Sequence, residues 1–306
     1  MTLEHDPSFT PQRRRAALRP SGFRPLLNGE AARDRTLVST CLDLWEKEGF
    51  TQVSPIQVDA ADTLLADKSD QLRQRTFRFM DPASGDMLAL LPDVTLGIAR
   101  LAKGELAAAP RPLRLSYEGQ AIRVSGSTTR PIRQFGQVGL EVIGADKDTP
   151  GQLTALALQS LIELGLDDLH LCLTAPPFAQ SLISELGLSP DLAQALDRRD
   201  EGKVRALAGD SAPRLLAILA GDLDQEPELQ PLKSLASQLS KTFPQVQVRC
   251  EPFEQRGFAF QSSPSFAIYS PLYRGELARG GAYALKGDPC FGFTFYRDAL
   301  LGALAS

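Results

Sequence analysis

Residues 113–144, LRLSYEGQAIRVSGSTTRPIRQFGQVGLEVIG, constrain the fold of this chain more than any other stretch. Leu113, Leu115 and Tyr117 alternate with Arg114, Ser116 and Glu118, the period-two signature of a half-buried strand. A second strand is predicted over residues 120–124, then a turn-rich connection through Ser125, Gly126, Ser127 and Thr128. The returning strand puts Val138, Leu140 and Val142 on one face and Gln137, Gly139 and Glu141 on the other. Two polar side chains flanking a residue with none describe a floor with room above it, because glycine inside a strand marks close approach of a ligand or another backbone. A plainer account is an open antiparallel sheet on which Gln137 and Glu141 face water. Arg123, in the neighbouring strand and able to pair with Glu141, favours the first account. Periodicity leaves both accounts open.

The rest of the chain surrounds this hairpin with helices and further strands. Residues 31–48 form an amphipathic helix with Leu37, Cys41, Leu44 and Trp45 on one face, closed by Gly49. Strands are predicted over 51–58, 75–80 and 87–91, the last two joined by a turn at Asp81-Pro82-Ala83-Ser84-Gly85. A helix runs from Pro150-Gly151 through Leu164, followed by a strand at 169–173. Residues 176–242 read as mostly helical, with breaks at Gly187, Pro190, Gly209 and Pro227. Strands resume over 246–268, and 299–305 closes the chain as a short apolar helix end. The pattern is α+β: an antiparallel sheet flanked by helices, with a helical insertion at 176–242.

Composition narrows the function. With 306 residues and 43% hydrophobic content, the chain can bury a sizeable core as one large or two modest domains. A net charge of −4 argues against a broad nucleic-acid-binding surface. Arg13, Arg14, Arg15, Arg19 and Arg24 make a local basic cluster that reads as a solvated, loosely held N-terminus. Cys41, Cys172, Cys250 and Cys290 have no paired spacing, so neither a zinc site nor a disulfide framework is expected and a reducing cytoplasm is the default. With only His5 and His170, a histidine-based triad or metal cluster is excluded, and His170 in its short apolar strand reads as structural. No signal peptide or membrane-length apolar run is present; the richest stretch, 153–166, is interrupted by Gln159, Ser160 and Glu163. No cofactor is implied.

YEGQAIR followed by RQFGQVGLEVIG resembles motif 2 of the class II aminoacyl-tRNA synthetases, specifically the histidyl type. The resemblance extends over most of the chain. PSGFRPLLNGEAARDR with LWEKEGFTQVSPIQVD is similar to the start of that core and its motif 1, and LLPDVTLGIARL to the segment that binds the amino group of histidine. RGFAF is similar to the histidine-binding arginine segment, and GGAY with FGFTFYRDALLGAL to the glycine-rich strand and motif 3. Five segments in the right order make the likeness specific.

Carried over residue by residue, the resemblance assigns an amino-acid pocket. Asp93 and Thr95 would meet the ligand's ammonium, Arg123 its carboxylate, and Gln137 and Glu141 would touch the ligand from the strand. Arg256 would belong to the arginine segment. Phe260 and Gln261 stand where the family has two tyrosines, and Ala259 where it has an acid, so the ring-reading end is altered. Carboxylates for an ammonium and an arginine for a carboxylate form a coherent, charge-assisted set. Asp93 also has a purely local account as a helix N-cap before Leu96, Ile98, Ala99 and Leu101, and Arg256 as a surface arginine.

Two nucleotide contacts of the family are expected to be lost. Its motif 2 glutamate falls on Ser125. Aligned on Gly292-Phe293, Tyr296 falls on the motif 3 glycine, Asp298 on the acid and Ala299 on the arginine. Arg297 is two residues early, which on a helix turns the side chain by about 200°. Phosphoryl-group chemistry depends on positioned charge, so an adenylating site could not easily spare these two contacts. The resemblance therefore implies one of two roles. One is the regulatory subunit family of ATP phosphoribosyltransferase, which keeps the histidyl-type core, has no anticodon-binding domain and partners a short-form catalytic subunit at the first step of histidine biosynthesis. Histidine would be its feedback effector, the core would form a homodimer through motif 1, and tight tRNA binding is not expected. The other is an adenylate-forming enzyme acting on a non-tRNA acceptor, and Ser125 and Ala299 speak against it.

Overall fold

Residues 113–122 and 134–143 pair as the two strands of one long hairpin in the computed structural model, and the main sheet is built outward from it. The structure describes residues 19–66, 68–127, 130–187, 189–254 and 264–305. Helix α1 (Glu30–Lys47) buries Leu37, Cys41 and Trp45 at four-residue spacing, and Gly49 ends it at a φ of 81° that favours a residue without Cβ. The stretch expected as one strand splits into β1 (Thr51–Val53) and β2 (Val58–Ala60), which join different sheets. Pro55 lies between them and cannot donate to a ladder.

A short helix α2 (Ala61–Leu64) leads to α3 (Asp70–Arg75), capped by the Ser69 hydroxyl, which accepts from Leu72 N. Helix α3 takes the start of a predicted strand, so β3 is only Arg78–Met80. Strand β4 (Met87–Leu90) returns after a turn in which the Asp81 carboxylate accepts from Ala83 N and Ser84 Oγ. These three strands make a small antiparallel sheet, β2-β4-β3. Helix α4 (Val94–Lys103) follows, with Asp93 at its N-cap.

Strands β5 (Leu113–Ile122) and β6 (Gln134–Ile143) pair in the register Leu115–Glu141, Tyr117–Gly139 and Gly119–Gln137. The two strands expected over 113–124 are one. Gly119 does not break it; a Cβ there would press on Val94, so the glycine serves the close approach of α4. Helix α5 (Thr149–Glu163) and strand β7 (His170–Thr174) lead into α6 (Pro176–Glu185), α7 (Pro190–Asp197), α8 (Glu201–Leu207), α9 (Ala212–Leu219) and α10 (Gln230–Thr242). Strands β8 (Gln247–Cys250), β9 (Ser265–Ser270), β10 (Tyr273–Leu285) and β11 (Asp288–Tyr296) complete the sheet, and α11 (Arg297–Ala303) closes the described chain.

The large sheet has the order β1-β5-β6-β11-β10-β9-β7-β8. It is antiparallel except at its two ends, where β1 runs parallel to β5 and β8 to β7. Its two faces are buried differently around the hairpin. Val138, Leu140 and Val142 face the main core, where Trp45 meets the Phe293 ring edge-on at 5.5 Å and donates its indole N–H to Ser160 Oγ at 2.9 Å. On the other face Leu115 and Tyr117 pack with Val94 and Ile98 of α4. Cross-strand partners share a face, so this second face also carries Gln137, Gly139 and Glu141.

Candidate functional site

Gln137 and Glu141 are 0% and 2% exposed, so the water-facing account fails. The space over Gly139 is taken by Tyr117, whose hydroxyl would lie only 2.5 Å from a Cβ there. That hydroxyl contacts Thr294 Oγ1 at 2.6 Å and Thr95 Oγ1 at 3.2 Å. Beside it, Glu141 lies over Gly292, where any Cβ would collide with the carboxylate. Tyr283 donates its hydroxyl to Glu141 Oε2 at 2.8 Å, and Thr95 supplies a second hydroxyl. Burial pushes the Glu141 carboxyl up to about 8, against the two hydroxyl donors and with the help of the nearby Asp93 charge. Burial likewise raises the Tyr117 and Tyr283 phenols well above their usual range.

Arg123 does not pair with Glu141. The register sets Glu141 opposite Leu115, eight residues back along the chain from Arg123 (123 − 115), or about 26 Å of extended strand. Arg123 instead reaches the head of α4. Its Nη2 donates to Asp93 Oδ2 at 3.0 Å, its Nε donates to the Pro92 carbonyl at 2.8 Å, and its guanidinium lies 4.9 Å from the centre of the Phe135 ring. Asp93 holds two positions at once: Oδ1 accepts from Thr95 N as an N-cap, and Oδ2 bonds Arg123. Gln137 joins them, accepting from Val94 N at 2.8 Å and donating to Asp93 at 3.5 Å. Five predicted residues thus converge on one buried face: Asp93, Thr95, Arg123, Gln137 and Glu141. Arg256, Phe260 and Gln261, like the basic Arg13, Arg14 and Arg15, lie outside the described residues.

The positions that the resemblance assigns to a nucleotide are arranged otherwise. Ser125 is exposed in a bend and Ala299 is fully buried in α11. Tyr296 pairs with Gln137 across the register, so it shares the pocket's face. The Arg130 guanidinium sits 3.4 Å from the centre of its ring and donates to the Glu276 carbonyl at 3.0 Å. Asp298 is 3.8 Å from Arg130 Nε, its buried side-chain oxygens have no hydrogen-bond partner among the described residues, and burial raises its pKa. Arg297 belongs to the opposite face: it packs on Gly136, forks onto Asp34 of α1 and reaches Glu118 of β5 at 2.8 Å.

Sequence reasoning did not find Tyr117, Thr294 and Tyr283, which complete the hydroxyl network, or Arg130. Tyr117 had a signal: counting back through the hairpin pairs it with Gly139, on the polar face. Tyr283 lay in the GGAY segment without a role. Nothing local announces Arg130.

This sheet and face define the core of a histidyl-type class II synthetase. The sequence profile of the family described as histidyl-tRNA synthetase matches residues 22–300. An ATP phosphoribosyltransferase regulatory subunit from Rhodospirillum centenum is 36% identical over 94% of this chain and 81% of its own length. A crystal structure from Bacillus halodurans, titled as an ATP phosphoribosyltransferase regulatory subunit/histidyl-tRNA synthetase, superposes with a TM-score of 0.76 at 20% identity, over 94% of this chain and 83% of that one. The ATP phosphoribosyl transferase complex from Thermotoga maritima contributes a chain with a TM-score of 0.67 at 18% identity, over 86% of this chain and 97% of that one. At these identities the two structures show likeness of fold. The chain belongs to the family of ATP phosphoribosyltransferase regulatory subunits, built on the histidyl-tRNA synthetase core.

Proposed function

We propose that this chain is the non-catalytic partner of a short-form ATP phosphoribosyltransferase catalytic subunit in the cytoplasm. It serves the first step of histidine biosynthesis and senses histidine as feedback effector. The observation that carries this reading is the contrast within one sheet face. Asp93, Arg123, Gln137, Thr95 and Glu141 keep an amino-acid-binding set, while Arg130 on Tyr296 fills the side where a nucleotide would lie. An adenylate-forming enzyme needs that side open and charged; a sensor does not. Histidine would place its carboxylate at Arg123 and its ammonium among Asp93, Thr95 and Gln137, with Arg256, Phe260 and Gln261 closing the pocket. Occupancy would bias the complex toward a less active state, with a coupling of about 1–3 kcal/mol that must be reciprocal. The core is expected to dimerise through the segment around α1, inside a larger symmetric hetero-oligomer, and to bind tRNA weakly at physiological salt.

The test is reconstitution. The catalytic subunit, assayed with ATP and phosphoribosyl pyrophosphate, should become faster or histidine-sensitive when this chain is added, and the two should co-elute. Unchanged rate and sensitivity together with separate elution would reject the partnership. Histidine-dependent exchange of pyrophosphate into ATP by the chain alone would reject the regulatory role.

A further inference from the structure

Gly139 separates Tyr117 of β5 from Thr294 of β11 in one cross-strand row. Because it has no side chain, the Tyr117 ring lies across it and sets its hydroxyl between two threonines, Thr294 at 2.6 Å and Thr95 of α4 at 3.2 Å. A phenol has one hydrogen to give, and either threonine oxygen could take it. Tyr117 is fully buried, and burial holds its phenol well above the usual range, so the hydrogen stays on. The shorter contact marks Thr294 as the acceptor: 2.6 Å is a full O–H···O hydrogen bond, and 3.2 Å lies beyond the usual range. Thr95 gives its own hydrogen to Glu141, whose carboxyl offers an accepting oxygen whether or not it is ionised. With both hydrogens placed in this way, the Thr95 oxygen keeps its lone pairs.

We propose that Thr294 is a positioning residue of the effector pocket: by taking the Tyr117 hydrogen, it leaves the Thr95 oxygen as an acceptor for the effector's ammonium. The inference rests on the reading of this face as the histidine pocket. Thr294 acts through Tyr117 and needs no contact with the ligand. Without the Thr294 hydroxyl, the phenol would donate to Thr95, the other oxygen beside it. That hydrogen would occupy a lone pair and bring the positive end of the O–H dipole beside the ammonium. Loss of the hydroxyl at 294 therefore harms binding only while Tyr117 keeps its own, a dependence that a purely structural threonine does not have.

Calorimetric titration of L-histidine into the chain assembled with its catalytic subunit tests this, with Tm measured alongside. Thr294→Val keeps the shape of the side chain and removes the acceptor, so affinity should fall about tenfold, the size of one hydrogen bond to a charged group. Thr294→Ser keeps the acceptor and should bind within about threefold of wild type. Tyr117→Phe should also bind within about threefold, and adding it to Thr294→Val should restore affinity to that level, whatever either change does to Tm. Thr294→Val at wild-type affinity, or a double variant that binds no tighter than Thr294→Val, would overturn the role of Thr294 and leave the sensor standing. Should Thr294→Val not fold, Tyr117→Phe decides, and a loss of about tenfold there would overturn the proposal. A wild-type assembly that binds no histidine would overturn the sensor reading and this inference with it.

Discussion

The amino-acid side and the nucleotide side of this sheet face are adjacent, joined by the Gln137–Tyr296 pair, yet they use buried charge in opposite ways. On the side that the proposed reading gives to an amino acid, polar groups are linked to one another and, among the described residues, Glu141 is held by hydroxyls and no cation. On the side that the proposed reading gives to a nucleotide, the chain packs its own side chains. Arg130 stacks on Tyr296 and brings its charge to Asp298 at 3.8 Å. A guanidinium on an aromatic ring contributes about 0.5–2 kcal/mol, so the filling is itself stabilising and does not merely block. On the proposed reading one half of the face is packed while the half beside it keeps its polar set, and each half should answer differently to mutation.

The largest expected effect lies in the amino-acid half. Glu141→Ala should keep the fold by circular dichroism and lose histidine affinity by on the order of 3–5 kcal/mol, a hundredfold or more, as removal of one partner of a buried charge pair does. Unchanged affinity by calorimetry would show that the network is only structural and would erase the contrast between the halves.

Next in size is a pH effect on stability. The Glu141 carboxyl keeps its proton to about pH 8 when folded, against a value of 4.5 for the unperturbed group. Between those values the folded state binds more protons than the unfolded one, so stability contributed by the neutral acid is full below pH 4.5 and is lost as pH rises toward 8. Glu141→Gln lacks this loss. It should match wild type near pH 5 and exceed it at pH 8 by on the order of a few kcal/mol. Denaturant melts at the two pH values measure this, and parallel curves across the range would place the proton elsewhere.

These effects turn on residues that sequence periodicity reads unevenly. The stripe Leu37, Cys41 and Trp45 and the helical breaks at Gly187 and Gly209 were legible because they are local: a 3.6-residue period and a positive φ leave their mark within a few positions. The period of β6 correctly separated Val138, Leu140 and Val142 from Gln137, Gly139 and Glu141. It could not say that α4 covers the second face, nor that register sets Glu141 opposite Leu115 and far from Arg123. Period fixes the face of a residue; register with a distant strand fixes its neighbour. The role of Gly119 was not legible for the same reason, since the Val94 that approaches it comes from another element. Arg130 on Tyr296 joins the hairpin tip to the last strand, and no short-range pattern carries such a contact.

Arg130→Ala tests the nucleotide half. It removes the cation from the Tyr296 ring and leaves Asp298 to take up a proton. Stability should fall by about 1–2 kcal/mol, read as a lower Tm, with histidine affinity unchanged. A parallel loss of affinity would mean that the halves are coupled through Phe135, which Arg130 and Arg123 both approach, at 5.4 and 4.9 Å from the ring centre.

The smallest effect is expected where the sequence contrast with the synthetases is plainest. Ser125→Glu puts back the acid that the family carries two residues after its motif 2 arginine. Ser125 is exposed in a bend, so the change should alter stability by less than about 0.5 kcal/mol. It should also confer no ATP binding and no pyrophosphate exchange. A restored contact gains nothing while Arg130 and Tyr296 occupy the space beyond it and Ala299, fully buried, offers no charge for a phosphate. Were Ser125→Glu alone to bind ATP, the nucleotide half would be depleted and not filled. Combining it with Tyr296→Gly separates the two causes: binding gained only in the double variant identifies the stacked pair as the barrier.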